Sequence, residues 1–152
     1  MGFRGPVGRG VTTRGKTPGR WCLAIVTIGV LGACESMAPA ATLPDQAVAL
    51  VAPPQFQSWW AKTEACSGLQ GAFGRIAWFV VPGASVFATP QGPEVGRWSR
   101  GGDGSQIVIA GEYLGNELVI RHEMLHALLD RRDHPPEYFV DRCHLTWESW
   151  GG

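Results

Sequence analysis

The sequence predicts a small α+β domain in which a short mixed or antiparallel sheet packs on one long helix. Three features of the chain lead there. Runs rich in Val, Ile and aromatic residues, "RIAWFVV", "ASVFAT" and "QIVIAG", are set off by Pro and Gly in the manner of strands and turns. A stretch of strong helix formers, "ELVIRHEMLHALLD", follows the last of them and opens on Asn116, a residue suited to an N-cap. About 100 residues lie beyond the proline pair Pro53-Pro54, which is enough for one modest core.

The 152-residue chain begins with a segment unlike the rest. Arg4, Arg9, Arg14, Lys16 and Arg20 form a basic lead, and "WCLAIVTIGVL" then runs eleven residues without charge. Such a run is too short to cross a hydrocarbon core of about 30 Å, and with its basic lead it reads as a secretory signal. "LGAC", Leu31 to Cys34, resembles the bacterial lipobox, in which small residues precede a cysteine that is lipidated after cleavage. The resemblance implies a signal peptide over residues 1–33, a lipid anchor on Cys34, and a chain tethered to the bacterial cell envelope. It would face the periplasm, and Glu35 after the cysteine leans toward the outer membrane. Two or more acyl chains suffice for stable attachment. The competing readings are a single-pass anchor, or a plain secretory peptide whose cysteine is incidental.

Loss of residues 1–33 removes five of the thirteen Lys and Arg and none of the thirteen acids, leaving a net charge of −5. A nucleic-acid surface normally needs a basic patch, so no nucleic-acid partner is expected. Cys22 leaves with the signal and Cys34 takes the lipid, so the mature chain keeps Cys66 and Cys143. An even pair in an exported protein favours a disulfide, here closing a loop of 77 residues worth roughly 4 kcal/mol in the loop-entropy model. Two buried free thiols are the alternative.

Residues 34–52, "CESMAPAATLPDQAVALVA", are small, apolar and proline-marked without helical periodicity, and suit a flexible tether ahead of a folded domain at 53–152. Phe56, Trp59, Trp60 and Thr63 then recur at helical spacing until Ser67-Gly68 stops a first helix. After the strands "RIAWFVV" and "ASVFAT", the Gly-rich "QGPEVGRWSRGGDGSQ" reads as a loop or a weak hairpin around Trp98. "QIVIAG" is the third strand and leads directly into the second helix.

That helix spells His122-Glu123-Met124-Leu125-His126. Glu117 in the first turn and Arg131 and Arg132 past the last complement the helix dipole, while Leu118, Leu125, Leu128 and Leu129 are available to the core. Four residues advance a helix by about 400°, so His122 and His126 project from one face and can close on one ion. Glu123 lies about 100° round, near enough to take a proton from a water at that ion without ligating it. Neutral imidazoles leave Zn²⁺ electrophilic, the ion lowers the pKa of water to about 7, and a carboxylate completes the hydrolytic set. Two structural histidines on a helix are the bland alternative. A catalytic zinc usually takes three protein ligands. His134, held by Pro135-Pro136 just past the helix, is the first candidate; Glu137, Asp141, His144 and Glu148 also lie downstream. Tyr138 as an oxyanion stabiliser, and Glu112 and Tyr113 as cleft residues, are weaker candidates.

"HEMLHALL" followed by "HPPEYF" resembles the SprT-like, or Spartan-like, zinc metallopeptidases, in which HExxH is followed by a His-Gly-Pro-Glu-Phe-type segment. The resemblance covers about 20 residues and implies His122, His126 and His134 as zinc ligands, Glu123 as catalytic base, and a zincin-like fold. Pro135 stands where that family has glycine, and the connection between the two motifs is shorter. Those proteins are intracellular and DNA-associated, so the metal chemistry transfers to an acidic exported chain and the substrate does not. The expected function is a membrane-tethered zinc peptidase acting on a peptide or protein substrate that pairs with "QIVIAG" as an exposed edge strand. The alternatives are a lipoprotein that binds metal or a partner without catalysis, and a hydrolase of other amide bonds such as peptidoglycan cross-links.

Overall fold

The computed structural model of the chain describes residues 42–146 apart from Asp103. The signal segment, Cys34 and Glu148 lie outside the described residues. Six strands and two main helices follow one another as β1 (Val48–Ala49), α1 (Pro54–Ser67), β2 (Ile76–Val81), β3 (Phe87–Thr89), β4 (Gly92–Glu94), β5 (Gly96–Arg100), β6 (Ser105–Ala110) and α2 (Glu117–Leu129). A short π-helical turn, Glu137–Arg142, follows α2. The class is α+β, as the sequence predicts.

The main sheet runs in the order β1-β2-β6-β5. β6 pairs parallel to β2, Trp78 opposite Ile107, and antiparallel to β5, Trp98 also opposite Ile107. β1 pairs antiparallel to β2, while β3 and β4 form a separate two-stranded ribbon. Period-two alternation decides which side chains meet which layer. On β6, Ile107 and Ile109 face the helices in a core with Phe56, Trp60, Trp78, Trp98, Val119, Ile120 and Met124. Val108 and Ala110 face the other way, into a smaller core with Val81 and Phe87.

Two expectations are corrected here. "QIVIAG" is not an edge: β6 is flanked on both sides, and Ile107, Val108, Ile109 and Ala110 are at most 1% exposed. The edge on the α2 side is β5, drawn from the stretch read as a loop or a weak hairpin around Trp98; the strand pairing favours the hairpin. A strand buried on both faces reads as a near-continuous apolar run, which is why β6 looked like an edge only from its place next to α2 in the chain. The second correction concerns the tether, because β1 lies within residues 34–52 and is hydrogen-bonded to β2, with Leu50 N donating to Trp78 O at 2.9 Å. The end of that stretch therefore belongs to the sheet.

The helices form where their caps allow. Pro54 occupies the first turn of α1, where a missing N–H costs nothing, and Gly68 ends it at φ 75°. The Asn116 side chain accepts from Leu118 N and Val119 N to open α2, and Asp130 closes it in the left-handed region at φ 53°. Cys66 at the end of α1 is disulfide-bonded to Cys143 beyond the π-helical turn, with Cα atoms 5.1 Å apart. Among the described residues no helix is long and apolar enough to cross a membrane.

Candidate metal centre

Regular α2 geometry puts His122 and His126 one turn apart on the face directed toward the chain that follows the helix. Asp130, in its left-handed conformation, turns that chain back, and His134 returns to the same point. The three rings converge: His122 Nε2 is 3.0 Å from His134 Nε2 and 3.2 Å from His126 Nε2. Among the described residues, this is the cluster of three or more His, Cys, Asp or Glu side chains able to hold a metal ion. Glu137 instead pairs with Arg142 at 2.7 Å, and neither Asp141 nor His144 joins the cluster. Arg142 lies over the Tyr138 ring at 5.1 Å.

What lies behind the rings matters as much. His122 Nδ1 donates to Leu145 O at 2.8 Å, and His126 Nδ1 donates to Arg131 O at 2.8 Å. A carbonyl only accepts, so each Nδ1 carries the hydrogen and each Nε2 is left with its lone pair pointing inward. Two such lone pairs 3.2 Å apart repel unless a cation lies between them. This donor set therefore fits a metal ion, and carbonyl partners on the outer nitrogens are the usual way to fix a ligating histidine. Burial pushes His122 down to about 4, helped by His134 and opposed by the Leu145 hydrogen bond. Burial, and then His122, push His126 down to about 3. Both rings are thus held neutral, the form that binds metal. The Phe139 ring, fully buried, packs against all three, with centroids 4.9, 4.8 and 4.8 Å from His122, His126 and His134.

The opposite wall is β5. A pocket of about 300 Å³ is lined by His122, Glu123, His126 and His134 on one side and by Glu94, Gly96, Arg97 and Trp98 on the other. Trp98 stacks on His126 with centroids 6.3 Å apart and donates its indole N–H to Ser105 Oγ at 2.9 Å. Glu123 is 6% exposed, and burial pushes its carboxyl up to about 8, with a backbone hydrogen bond from Trp98 opposing the shift. Arg97 and Glu94 pair at 3.2 Å. His134, in contrast, is exposed, so the centre is buried on the helix side and open at its rim.

The structure thus brings His122, Glu123, His126 and His134 to one pocket and joins Cys66 to Cys143. Glu112 and Tyr113 do not line it. Sequence reasoning allowed a weak hairpin around Trp98 but did not place it against the site, and it missed Phe139, Arg131 and Leu145, of which two contribute only backbone carbonyls that any residue type supplies. In comparisons with known proteins, the chain matches no family model, no curated protein and no solved structure.

Proposed function

We propose that this chain is a membrane-tethered, zinc-dependent peptidase of the bacterial cell envelope, with His122, His126 and His134 as ligands and Glu123 as general base. The observation that carries the reading is the convergence of three imidazoles, two of which, His122 and His126, have their outer nitrogens already satisfied by backbone carbonyls, beside a buried carboxyl. Tetrahedral zinc with Zn–N bonds of 2.0–2.1 Å separates two ligand nitrogens by about 3.3 Å. The 3.0 and 3.2 Å spacings lie close to that edge length. His122, His126 and His134 would hold such an ion, which when bound would supply Lewis acidity toward water and a carbonyl.

The chain's own groups do the rest. Glu123 takes the proton of the attacking water and hands it to the amine that leaves. A carboxyl raised by burial toward neutrality is a competent donor for that second step, and the positive charge of a bound ion draws it back toward the carboxylate needed for the first. Trp98 closes the pocket floor against His126. β5, the edge strand bordering the pocket, offers backbone groups to an extended peptide, replacing β6 in that role. The lipid anchor on Cys34 rests on the lipobox-like "LGAC" and would keep the domain at the membrane surface.

Glu123→Gln separates the roles. The variant is expected to keep its zinc while hydrolysis of a peptide library falls by about 10²–10⁴-fold. Undiminished cleavage by Glu123→Gln would remove the general base from the scheme. Zinc retention without cleavage by the wild-type chain would favour the metal-binding, non-catalytic reading.

A further inference from the structure

The Cys66–Cys143 disulfide stands away from the pocket mouth, yet the segment it pins runs directly behind the histidines. Cys143 N donates to Tyr138 O at 3.0 Å, Leu145 N donates to Phe139 O at 2.7 Å, and Leu145 O accepts from His122 Nδ1 at 2.8 Å. His144, between Cys143 and Leu145, adopts φ 51°, a left-handed turn that redirects the backbone. Phe139, Cys143, Leu145 and the helix residue Leu125 form one buried cluster, and Phe139 touches all three rings. The ties between this segment and α1 include the disulfide and Arg142 Nη1 donating to Ser67 O at 2.8 Å. Arg121, the neighbour of His122, reaches Cys66 Sγ at 3.5 Å from the other side.

We infer that the Cys66–Cys143 disulfide is a positioning element of the metal centre, holding Leu145 O and Phe139 against the histidines so that metal affinity is linked to the redox state of the pair. The inference rests on the reading of His122, His126 and His134 as a metal centre and not on catalysis. Its physical basis is direct. The carbonyl behind a ligating imidazole fixes the ring's tautomer and aim, and losing such a partner typically lowers metal affinity by about 10–100-fold. Reduction by two equivalents of a monothiol supplies two electrons and two protons; the S–S bond opens to two thiols, and the reductant leaves as its own disulfide. The segment then loses its covalent tie to α1 and keeps non-covalent ones such as the Arg142 hydrogen bond. Linkage makes the effect reciprocal, so bound zinc must make the disulfide harder to reduce by the same factor, about 30–60 mV for a two-electron couple.

The test is zinc affinity, read by competition with a chromophoric chelator, for the oxidised protein and for Cys66→Ala/Cys143→Ala, which breaks the bond without freeing these two thiols to compete for the ion. The double variant is expected to bind zinc about 10–100-fold more weakly while keeping its far-UV circular dichroism. Phe87→Ala, in the core on the opposite face of the sheet, serves as the destabilised control and should hold zinc within about twofold of wild type. Equal affinity of the double variant and wild type overturns the inference, as does an equal loss in Phe87→Ala. Should the double variant fail to fold, the wild-type disulfide is equilibrated in glutathione buffers with and without saturating zinc. A shift of the midpoint to more reducing potential supports the coupling; no shift, or the opposite one, overturns it. An oxidised wild-type protein that binds no zinc would instead overturn the metal-centre reading beneath it.

Discussion

A Cβ built on Gly96 would sit 2.8 Å from Glu123 Oε1 and 3.0 Å from its Cγ, so the carboxyl occupies room that only glycine leaves. The glycine that hid β5 in the sequence is thus the residue that lets β5 approach the buried acid. Gly96→Ala is expected to push Glu123 out of place, with a stability loss of about 1–3 kcal/mol from overpacking. Peptidase activity should fall about 10²-fold, since misplacement by an ångström costs that much. Zinc content should not change, because no ligand moves. Chemical denaturation, metal analysis and a peptide assay check the three parts, and full activity in Gly96→Ala would show that the fit at this position is irrelevant. At this scale the sequence carries identity but not proximity. His122, Glu123, His126 and His134 were legible because helical spacing and a proline pair restrict where they can go. Gly96 was not, because nothing local says what faces it.

Helix α2 is where local signals were most complete. Asn116, Glu117 and the leucine spacing agree with the observed Glu117–Leu129, since capping and periodicity act within a turn or two and need no tertiary information. Asn116→Ala leaves Leu118 N and Val119 N without their acceptor and should cost about 1 kcal/mol, while Asn116→Gly should cost only a few tenths. Urea midpoints measure both, and equal losses for Ala and Gly would contradict the capping role. The strands behave differently. "RIAWFVV" and "QIVIAG" were recognisable as strands, but their order was not, because β2 and β6 become parallel neighbours only after β3, β4 and β5 have been looped out between them. Strand order is a non-local property. The π-helical turn that delivers Phe139 carries no pattern of its own and exists through the contacts of the cluster it joins.

For the whole molecule, the disulfide ties the beginning of the fold to its end, and the sheet sets β5 across the pocket from α2. Cys66–Cys143 was legible from cysteine arithmetic and the expected export, and the second use we infer for it, behind the candidate metal centre, was visible only once Leu145 O lay against His122. The acidic sequence beyond residue 33 and a pocket open at the His134 rim are the features on which the proposed tethered peptidase rests, together with the proposed lipid on Cys34. All of this depends on the ion. The most direct measurement is the zinc content of the freshly purified protein, determined by elemental analysis beside His134→Ala. One zinc per chain is predicted for wild type, with affinity in His134→Ala weakened by more than the roughly 10–100-fold that loss of an outer partner costs. A wild-type protein free of zinc and unable to take it up, or a His134→Ala variant that binds zinc as tightly as wild type, would contradict the account.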